Sequence, residues 1–169
     1  MKGFYMIVLG IDPGYAIVGY GILDFKSGHF KILDFGSVET SADENFTDRI
    51  SKIYESIKFL IKKYKVSEVA VEELFFNKNS KTAIMVAEAR GVILLAAKNA
   101  GAEIYEYTPL QVKQGICGYG AAPKAQVERM VKLILNLKET PKPDDTADAL
   151  AIAISHCNTC KLSSLFKVK

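Results

Sequence analysis

No apolar run in this sequence approaches the roughly 18 uninterrupted residues that a membrane-spanning helix requires. Lys2 is the only basic residue ahead of the first apolar run, 6–11, and Asp12 ends that run. We therefore predict a first β-strand at this position and not a signal peptide. Internal repeats and low-complexity tracts are also missing, which favours one domain at 1–158 with a basic, flexible tail at 159–169.

Cysteine is scarce and odd in number, with Cys117, Cys157 and Cys160. Without a secretory signal, free thiols in a reducing cytoplasm are the default, so we expect a cytoplasmic protein. Cys157 and Cys160 have the Cys-x-x-Cys spacing of a metal or redox motif, but no second ligand pair accompanies them. We therefore predict a solvated helix end at 156–160.

A large excess of charge of either sign is absent too. The 22 basic and 19 acidic residues leave a net charge of +3, which neither demands nor excludes nucleic acid. The hydrophobic fraction of 49% and the charged fraction of 24% are ordinary for a globular protein. Composition leaves the function open, and the positions of individual charges have to decide it.

The hydrophobic pattern predicts a mixed α/β fold. Three β-rich segments at 6–12, 17–25 and 30–39 predict an antiparallel meander, and two later strands are expected at 66–72 and 103–107. Helical spacing predicts helices at 45–64, 80–99, 109–114, 123–137 and from 144 or 145 to 156, with a flexible glycine-rich loop at 115–120. Two strands that each follow a helix indicate a mixed five-stranded sheet flanked by helices.

Four acidic residues lie at the ends of apolar runs, where an isolated carboxylate is destabilising. Asp12 and Glu72 end buried strands, and Asp145 and Asp148 precede the apolar run 149–154. If these ends converge, a divalent cation is the natural counter-charge, and oxygen ligands suit Mg²⁺ or Mn²⁺ better than zinc. Two such ions roughly 3.5–4 Å apart would activate water and stabilise the leaving oxygen in phosphodiester hydrolysis.

Each acidic segment also has an explanation without catalysis. Residues 12–14, Asp-Pro-Gly, are a common turn sequence. Glu72 and Glu73 alternate along a strand, so only one can face the other acids, and the residues alone do not say which. Asp144 and Asp145 are suitable helix caps.

Aromatic and basic residues follow the strand that ends at Glu72. Phe75 and Phe76 lie in a predicted loop, where they could stack on bases or wedge between them, although ordinary packing under the loop is the alternative. Lysines in this loop and around the glycine-rich loop could contact phosphates or simply be solvated. The candidates are Lys78, Lys81, Lys113 and Lys124.

Five segments, in the same order and across nearly the whole chain, resemble RuvC, the bacterial Holliday junction resolvase (crossover junction endodeoxyribonuclease) family. They are Gly10–Gly14, Val71–Asn79, Ala89–Gly91, Gln111–Gln114 and Asp145–Ala153. The resemblance implies an RNase H-like fold of the retroviral integrase superfamily. It also implies a homodimer formed through the helix near 80–99.

The resemblance further implies Mg²⁺-dependent, symmetric nicking of two strands of four-way junction DNA, with two metal ions per site and Mn²⁺ as a substitute. The ends would be 5′-phosphate and 3′-hydroxyl, and certain T-rich sequences would be preferred. The partners would be the RuvA and RuvB branch-migration proteins, in homologous recombination and DNA repair.

Carried over position by position, the catalytic and metal-binding acids would be Asp12, Glu72, Asp145 and Asp148. This selects Glu72 over Glu73. The position of Asp145 is a histidine in some family members. The resemblance implies that Phe75 engages junction bases and that Lys113 and Lys124 lie near the DNA.

Two other functions are compatible with parts of the pattern. An Asp-x-Gly turn after a first strand also occurs in actin-like and sugar-kinase ATPases, but those need a second lobe for which 169 residues leave no room. The second alternative is a protein that binds junctions without cutting them, and the presence of all four acids argues against it.

Overall fold

The computed structural model describes residues 5–74, 80–159 and 166–168, and at residues 80 and 81 it describes the backbone alone. The strands are β1 (Tyr5–Asp12), β2 (Ile17–Lys26), β3 (His29–Glu39), β4 (Glu68–Glu72) and β5 (Glu103–Tyr107). The helices are α1 (Phe46–Tyr64), α2 (Ser80–Asn99), α3 (Pro109–Cys117), α4 (Lys124–Ile134) and α5 (Asp144–Thr159).

The strands form one five-stranded sheet in the order β3-β2-β1-β4-β5. The first three strands are antiparallel, and β4 and β5 run parallel to β1, so the predicted meander and mixed sheet are confirmed. Ser27 and Gly28 join β2 to β3 with positive φ angles of 50° and 87°. Two such residues are typical of the tight hairpin turns that match the twist of antiparallel strands.

Each face of the sheet is covered by helices. On one face, α5 packs on the strands with α3 and α4 outside it, and on the other face α1 and α2 form the second core. Between residues 146 and 157 of α5, every residue except Asp148 is buried. A helix that is apolar almost all round lies in the interior of a protein.

Glycines bring α5 unusually close to the sheet. A Cβ at Gly10 of β1 would overlap the carbonyl oxygen of Ala149, and one at Gly19 of β2 would overlap the backbone of Asp145. Gly19 pairs with Asp12 across the β1–β2 ladder. The first turn of α5 therefore lies against the carboxyl end of β1.

The predicted flexible loop at 115–120 is wrong over its first half, because residues 115–117 are the last turn of α3. Gly115 is needed for close packing, since a Cβ there would overlap the side chain of Ser155 in α5. The helix ends at Gly118, whose φ of 82° is typical of a C-terminal glycine.

The predicted solvated helix end is wrong at residues 156 and 157, although Asn158 is exposed. His156 and Cys157 are buried, whereas Cys160 lies outside the described residues. The imidazole is bonded through Nδ1 to the Tyr107 hydroxyl at 2.7 Å and through Nε2 to Glu68 Oε2 at 2.6 Å. These two partners satisfy both ring nitrogens, so α5 can continue through the core to its end.

Residues 166–168 of the predicted tail lie along the edge of β5. The amide of Glu106 donates to the carbonyl of Phe166 at 2.8 Å, and the amide of Val168 donates to Ile104 at 3.0 Å. The division into a domain at 1–158 and a tail from 159 stays a prediction. No helix in the described ranges has the length and apolar character needed to cross a membrane.

Replacing Gly10 with Ala should lower the free energy of unfolding by about 1–3 kcal/mol, because the added methyl group overlaps the backbone of α5. Denaturant unfolding measures the change. Gly36→Ala is the matched control, since a Cβ there would meet only the side chain of Tyr20, at 3.1 Å. Equal losses in the two variants would contradict close packing of α5 as the cause.

Candidate active site

The alternation of side chains along β1 and β4 puts Asp12 and Glu72 on the same face of the sheet. The two strands are parallel neighbours, with Ile11 opposite Val71. Ile11 and Val71 belong to the core under α1 and α2. Side chains alternate along a strand, so the next residues, Asp12 and Glu72, face α5 and Glu73 does not.

The first two turns of α5 bring two further acids to this edge. The backbone of Asp145 lies against Gly19, beside Asp12, and Asp148 follows one turn later. Asp145 and Asp148 share a helix face because residues three apart are neighbours on a helix. The structure therefore brings together all four acids that the sequence singled out.

Burial and mutual repulsion shift the pKa values of these acids. Burial, followed by the charges of Glu72, Asp148 and Asp145, raises the pKa of Asp12 to about 8. Burial, followed by the charge of Asp148, raises the pKa of Glu72 to about 6. Burial also raises the pKa of Asp148, although a hydrogen bond from Lys124 opposes this. The cluster therefore has an unmet need for positive charge.

Two lysines supply part of that charge. Lys124, the first residue of α4, places Nζ 3.1 Å from Asp148 Oδ2 and 3.5 Å from Asp144 Oδ2. Burial works against its charged form, but the bonds to Asp148 and Asp144 raise the pKa of Lys124 above its ordinary value. Lys113 of α3 lowers the pKa of Glu72, as Lys124 also does.

A cleft of about 200 Å³ opens beside the acids. Its charged lining is Glu72, Lys113, Lys124 and Asp148, and its apolar lining is Pro109, Val112, Val127, Ala151 and Ile152. Acids and lysines in one cleft are suited to a ligand that carries anionic groups together with a cation.

The donor set fits a divalent cation in type and charge. Carboxylates are the ligands that Mg²⁺ and Mn²⁺ prefer, and a cation would relieve the repulsion that raises the pKa values of Asp12 and Glu72. As the side chains of the described ranges stand, no three acids, histidines or cysteines are already spaced to hold one ion. Asp148 is bonded to Lys124 through Oδ2, so this oxygen is already partnered by a cationic group.

Some candidates cannot be placed. Phe75 and Lys78 lie outside the described residues, and so does the side chain of Lys81 in the first turn of α2. Their proposed contacts with DNA stay predictions.

One residue near the site was not assigned a role from the sequence. Arg90 of α2 donates from Nε to the backbone carbonyl of Glu72 at 3.2 Å and from Nη2 to Glu106 Oε2 at 2.7 Å. In the sequence, the feature that could have indicated a role for Arg90 is its position as a single arginine among the small residues of α2, next to Ala89 and Gly91.

Comparison with known proteins agrees with this geometry. A family model described as "Crossover junction endodeoxyribonuclease RuvC" matches residues 8–156. The chain belongs to the RuvC family. The RuvC proteins of Clostridioides difficile strain 630 and Alkaliphilus oremlandii strain OhILAs are 57% and 52% identical to it. The first alignment covers 96% of both chains, and the second covers 97% of this chain and 100% of the relative.

Solved structures agree with the assignment to RuvC. Thermus thermophilus RuvC superposes with a TM-score of 0.88 at 37% identity, over 96% of this chain and 100% of that one. The same protein in complex with a Holliday junction substrate gives 0.87 at 36% identity, over 96% and 99%. A yeast mitochondrial Holliday junction resolvase shares the fold, with a TM-score of 0.65 at 15% identity over 94% and 82%. The predicted RNase H-like fold is confirmed, and membership of this nuclease family indicates a divalent-metal requirement.

The high pKa of Asp12 predicts an unusual pH dependence of stability in the metal-free protein. Folding raises this pKa from 3.8 to about 8, so between these values the folded state binds the proton more tightly than the unfolded state. Stability should therefore fall as the pH rises from about 4 to about 8. In EDTA at pH 8.5, Asp12→Asn should exceed wild type by at least about 2 kcal/mol in the free energy of unfolding, and the difference should nearly vanish near pH 4.

Denaturant unfolding across this pH range measures the effect. Asp43→Asn is the control for loss of one negative charge, since Asp43 is exposed in the segment between β3 and α1. If Asp12→Asn gains no more than the control at pH 8.5, the carboxylate of Asp12 is not the destabilising group.

Proposed function

We propose that this protein is a structure-selective endonuclease that resolves Holliday junctions by nicking two strands symmetrically in a Mg²⁺-dependent reaction. The observation that carries the proposal is the meeting of four acids in a RuvC-family chain, beside a cleft lined by two of them, Glu72 and Asp148, and by two lysines. A relative of this chain is described in complex with a Holliday junction substrate. The products would have 5′-phosphate and 3′-hydroxyl ends.

The proposed metal ligands and catalytic residues are Asp12, Glu72, Asp145 and Asp148. Two bound Mg²⁺ ions, or Mn²⁺ in their place, would supply activation of a water and stabilisation of the leaving oxygen. The protein contributes the positions of its carboxylates, held at the ends of β1, β4 and the first turns of α5. Their partial burial strengthens the charge interactions at the scissile phosphate.

Lys113 and Lys124 are the proposed phosphate contacts. Both line the cleft, and Lys124 has about half of its side chain exposed. In the complex we propose, Lys124 exchanges its bond to Asp148 for a DNA phosphate, while the carboxylate turns to the metal. The lysine charge is thereby used twice, first to keep the acid cluster together and then to bind substrate.

Phe75, Lys78 and Lys81 remain proposed contacts to the junction. They follow Glu72 in the sequence by three, six and nine residues. An aromatic ring here would stack on bases exposed at the crossover, and the lysines would contact neighbouring phosphates.

We also propose a homodimer through α2, because symmetric nicking needs two sites. Ile84 and Leu95 are 58% and 53% exposed on this helix, and nothing would meet a Cβ at Gly91 between them. An exposed apolar stripe with a glycine allows two helices to approach closely. RuvA and RuvB as partners, and a cytoplasmic location, remain predictions from the family.

The decisive experiment gives the purified protein a synthetic four-way junction or a linear duplex of matching sequence, with Mg²⁺ or EDTA. We expect paired, symmetric nicks in the junction with Mg²⁺ and none in the duplex. DNA ligase should reseal the nicks directly if the ends are 5′-phosphate and 3′-hydroxyl. Random duplex cutting, or equal cutting in EDTA, would reject the proposal.

Asp145→Asn should reduce junction cutting by about 100-fold or more, because it removes a charged metal ligand. Junction binding should be kept, since no DNA contact is removed. Asp144→Asn is the matched control: Asp144 is adjacent and in the same helical turn, but it is exposed and bonded to Lys142 and Lys124. Equal cutting by the two variants would exclude Asp145 from the site.

Lys113→Ala and Lys124→Ala should each weaken junction binding and make it less sensitive to salt. One lost phosphate contact lowers the slope of log affinity against log salt by about 0.9. Binding is measured in the Asp145→Asn background, so that the junction stays uncut. Lys26→Ala is the control because Lys26 lies at the opposite end of the sheet, and a slope change equal to the control would remove the lysine from the interface.

A further inference from the structure

The last residue of β4 is held by contacts that do not involve its carboxylate. Arg90 of α2 donates to the carbonyl oxygen of Glu72 at 3.2 Å, and the amide of Glu73 donates to the carbonyl of Tyr107 at 2.9 Å. The strand ends here, so further along the chain there is no β4 ladder to fix the backbone. The bond of Glu73 belongs to the β4–β5 ladder, in which Glu72 pairs with Tyr107, and Arg90 adds a side-chain bond from α2.

Arg90 is itself held in place by an acid of the neighbouring strand. Its Nη2 lies 2.7 Å from Glu106 Oε2, and only 16% of the arginine side chain is exposed. The amide of Glu106 is bonded to Phe166, so the strand that carries this acid is paired on its outer edge as well. The arginine is therefore oriented by a fixed partner.

We propose that Arg90 is a positioning residue for the metal-binding carboxylate of Glu72. Its guanidinium bonds both the Glu72 carbonyl and the Glu106 carboxylate, and so ties the end of β4 to α2. The inference rests on the proposed function, because it assigns to Glu72 the role of a metal ligand.

The chemistry explains why arginine is needed at this position. A planar guanidinium donates from Nε and Nη2 in fixed directions, whereas the ammonium of a lysine is a single point charge. Asp12 and Asp145 lie where α5 packs closely against β1 and β2, whereas the Glu72 carbonyl receives a side-chain bond from α2. Outer contacts that orient a metal ligand typically change metal affinity or activity by about 10–100-fold when they are removed.

The test compares Arg90→Gln, Arg90→Lys and Glu106→Gln with wild type. Under single-turnover conditions, Arg90→Gln should cut junctions about 10–100-fold more slowly and need several-fold more Mg²⁺ for half-maximal rate. Junction binding in EDTA should stay within about twofold of wild type, because no phosphate contact is lost. Arg90→Lys should recover part of the rate, and Glu106→Gln should show the same pattern more weakly.

A second readout needs no DNA and no turnover. Mg²⁺ should raise the Tm of the free wild-type protein, and this rise should be smaller in Arg90→Gln. Glu103→Gln is the matched control. It also removes an acid of β5 from an ion pair, the one with Lys167, but both of those side chains are about half-exposed and lie away from the acids.

Two results would overturn the inference. One is an Arg90→Gln variant that cuts, and responds to Mg²⁺, like Glu103→Gln. The other is a variant that loses metal-free Tm and junction binding in step with cutting, with no change in Mg²⁺ dependence, which would mean a purely structural role. If Arg90→Gln does not fold, Arg90→Lys and Glu106→Gln decide by the same criteria.

Failure of the proposed function is recognised separately through Glu72→Gln. If that variant still cuts junctions, Glu72 is not a catalytic ligand, whatever Arg90 does. If Glu72→Gln abolishes cutting and the three Arg90 and Glu106 variants cut like Glu103→Gln, then only the positioning role fails.

Discussion

The structure depends on holding like charges together at one edge of the sheet. Because Gly19 has no side chain, the backbone of α5 can pack directly on it, and this brings Asp145 beside Asp12. Gly10 permits the same close packing one turn further along α5. Larger side chains at these glycines would push the helix outward and separate the acids. The burial of α5 between the sheet and the outer helices supplies the stability that this repulsion removes.

The same constraint sets the chemistry of the cleft. Carboxylates that repel one another bind a cation strongly, because the cation relieves the electrostatic repulsion that arises when folding brings them together. In the free protein Lys124 supplies positive charge to the acids. Its single charge is not enough to offset their repulsion and burial, because the pKa of Asp12 remains near 8. In the function we propose, a divalent ion held by the acids would supply more of this charge, and Lys124 would then be available to the substrate's phosphates.

Sequence patterns predicted the elements and the acids well because both depend on local order. An acid that ends an apolar run, as Asp12 and Glu72 do, marks the carboxyl end of a strand wherever that strand pairs. The wrong predictions, at 115–117 and at 156–157, concern residues whose contacts are with distant parts of the chain. The sequence around Gly115 does not show that Ser155 packs on it. Nor does the sequence around His156 show that Tyr107 and Glu68 bond its two ring nitrogens.

The four acids are not fixed by equivalent means, and this difference accounts for Arg90. Asp12, Asp145 and Asp148 lie where α5 meets β1 and β2, so main-chain packing determines their spacing. Glu72 belongs to a five-residue strand, and its carbonyl is tied to α2 by one side chain. The end of β4 is held by its pairing with Tyr107 of β5 and by one ion-paired arginine from α2. Glu72 is thereby joined directly to the helix that carries the exposed apolar stripe.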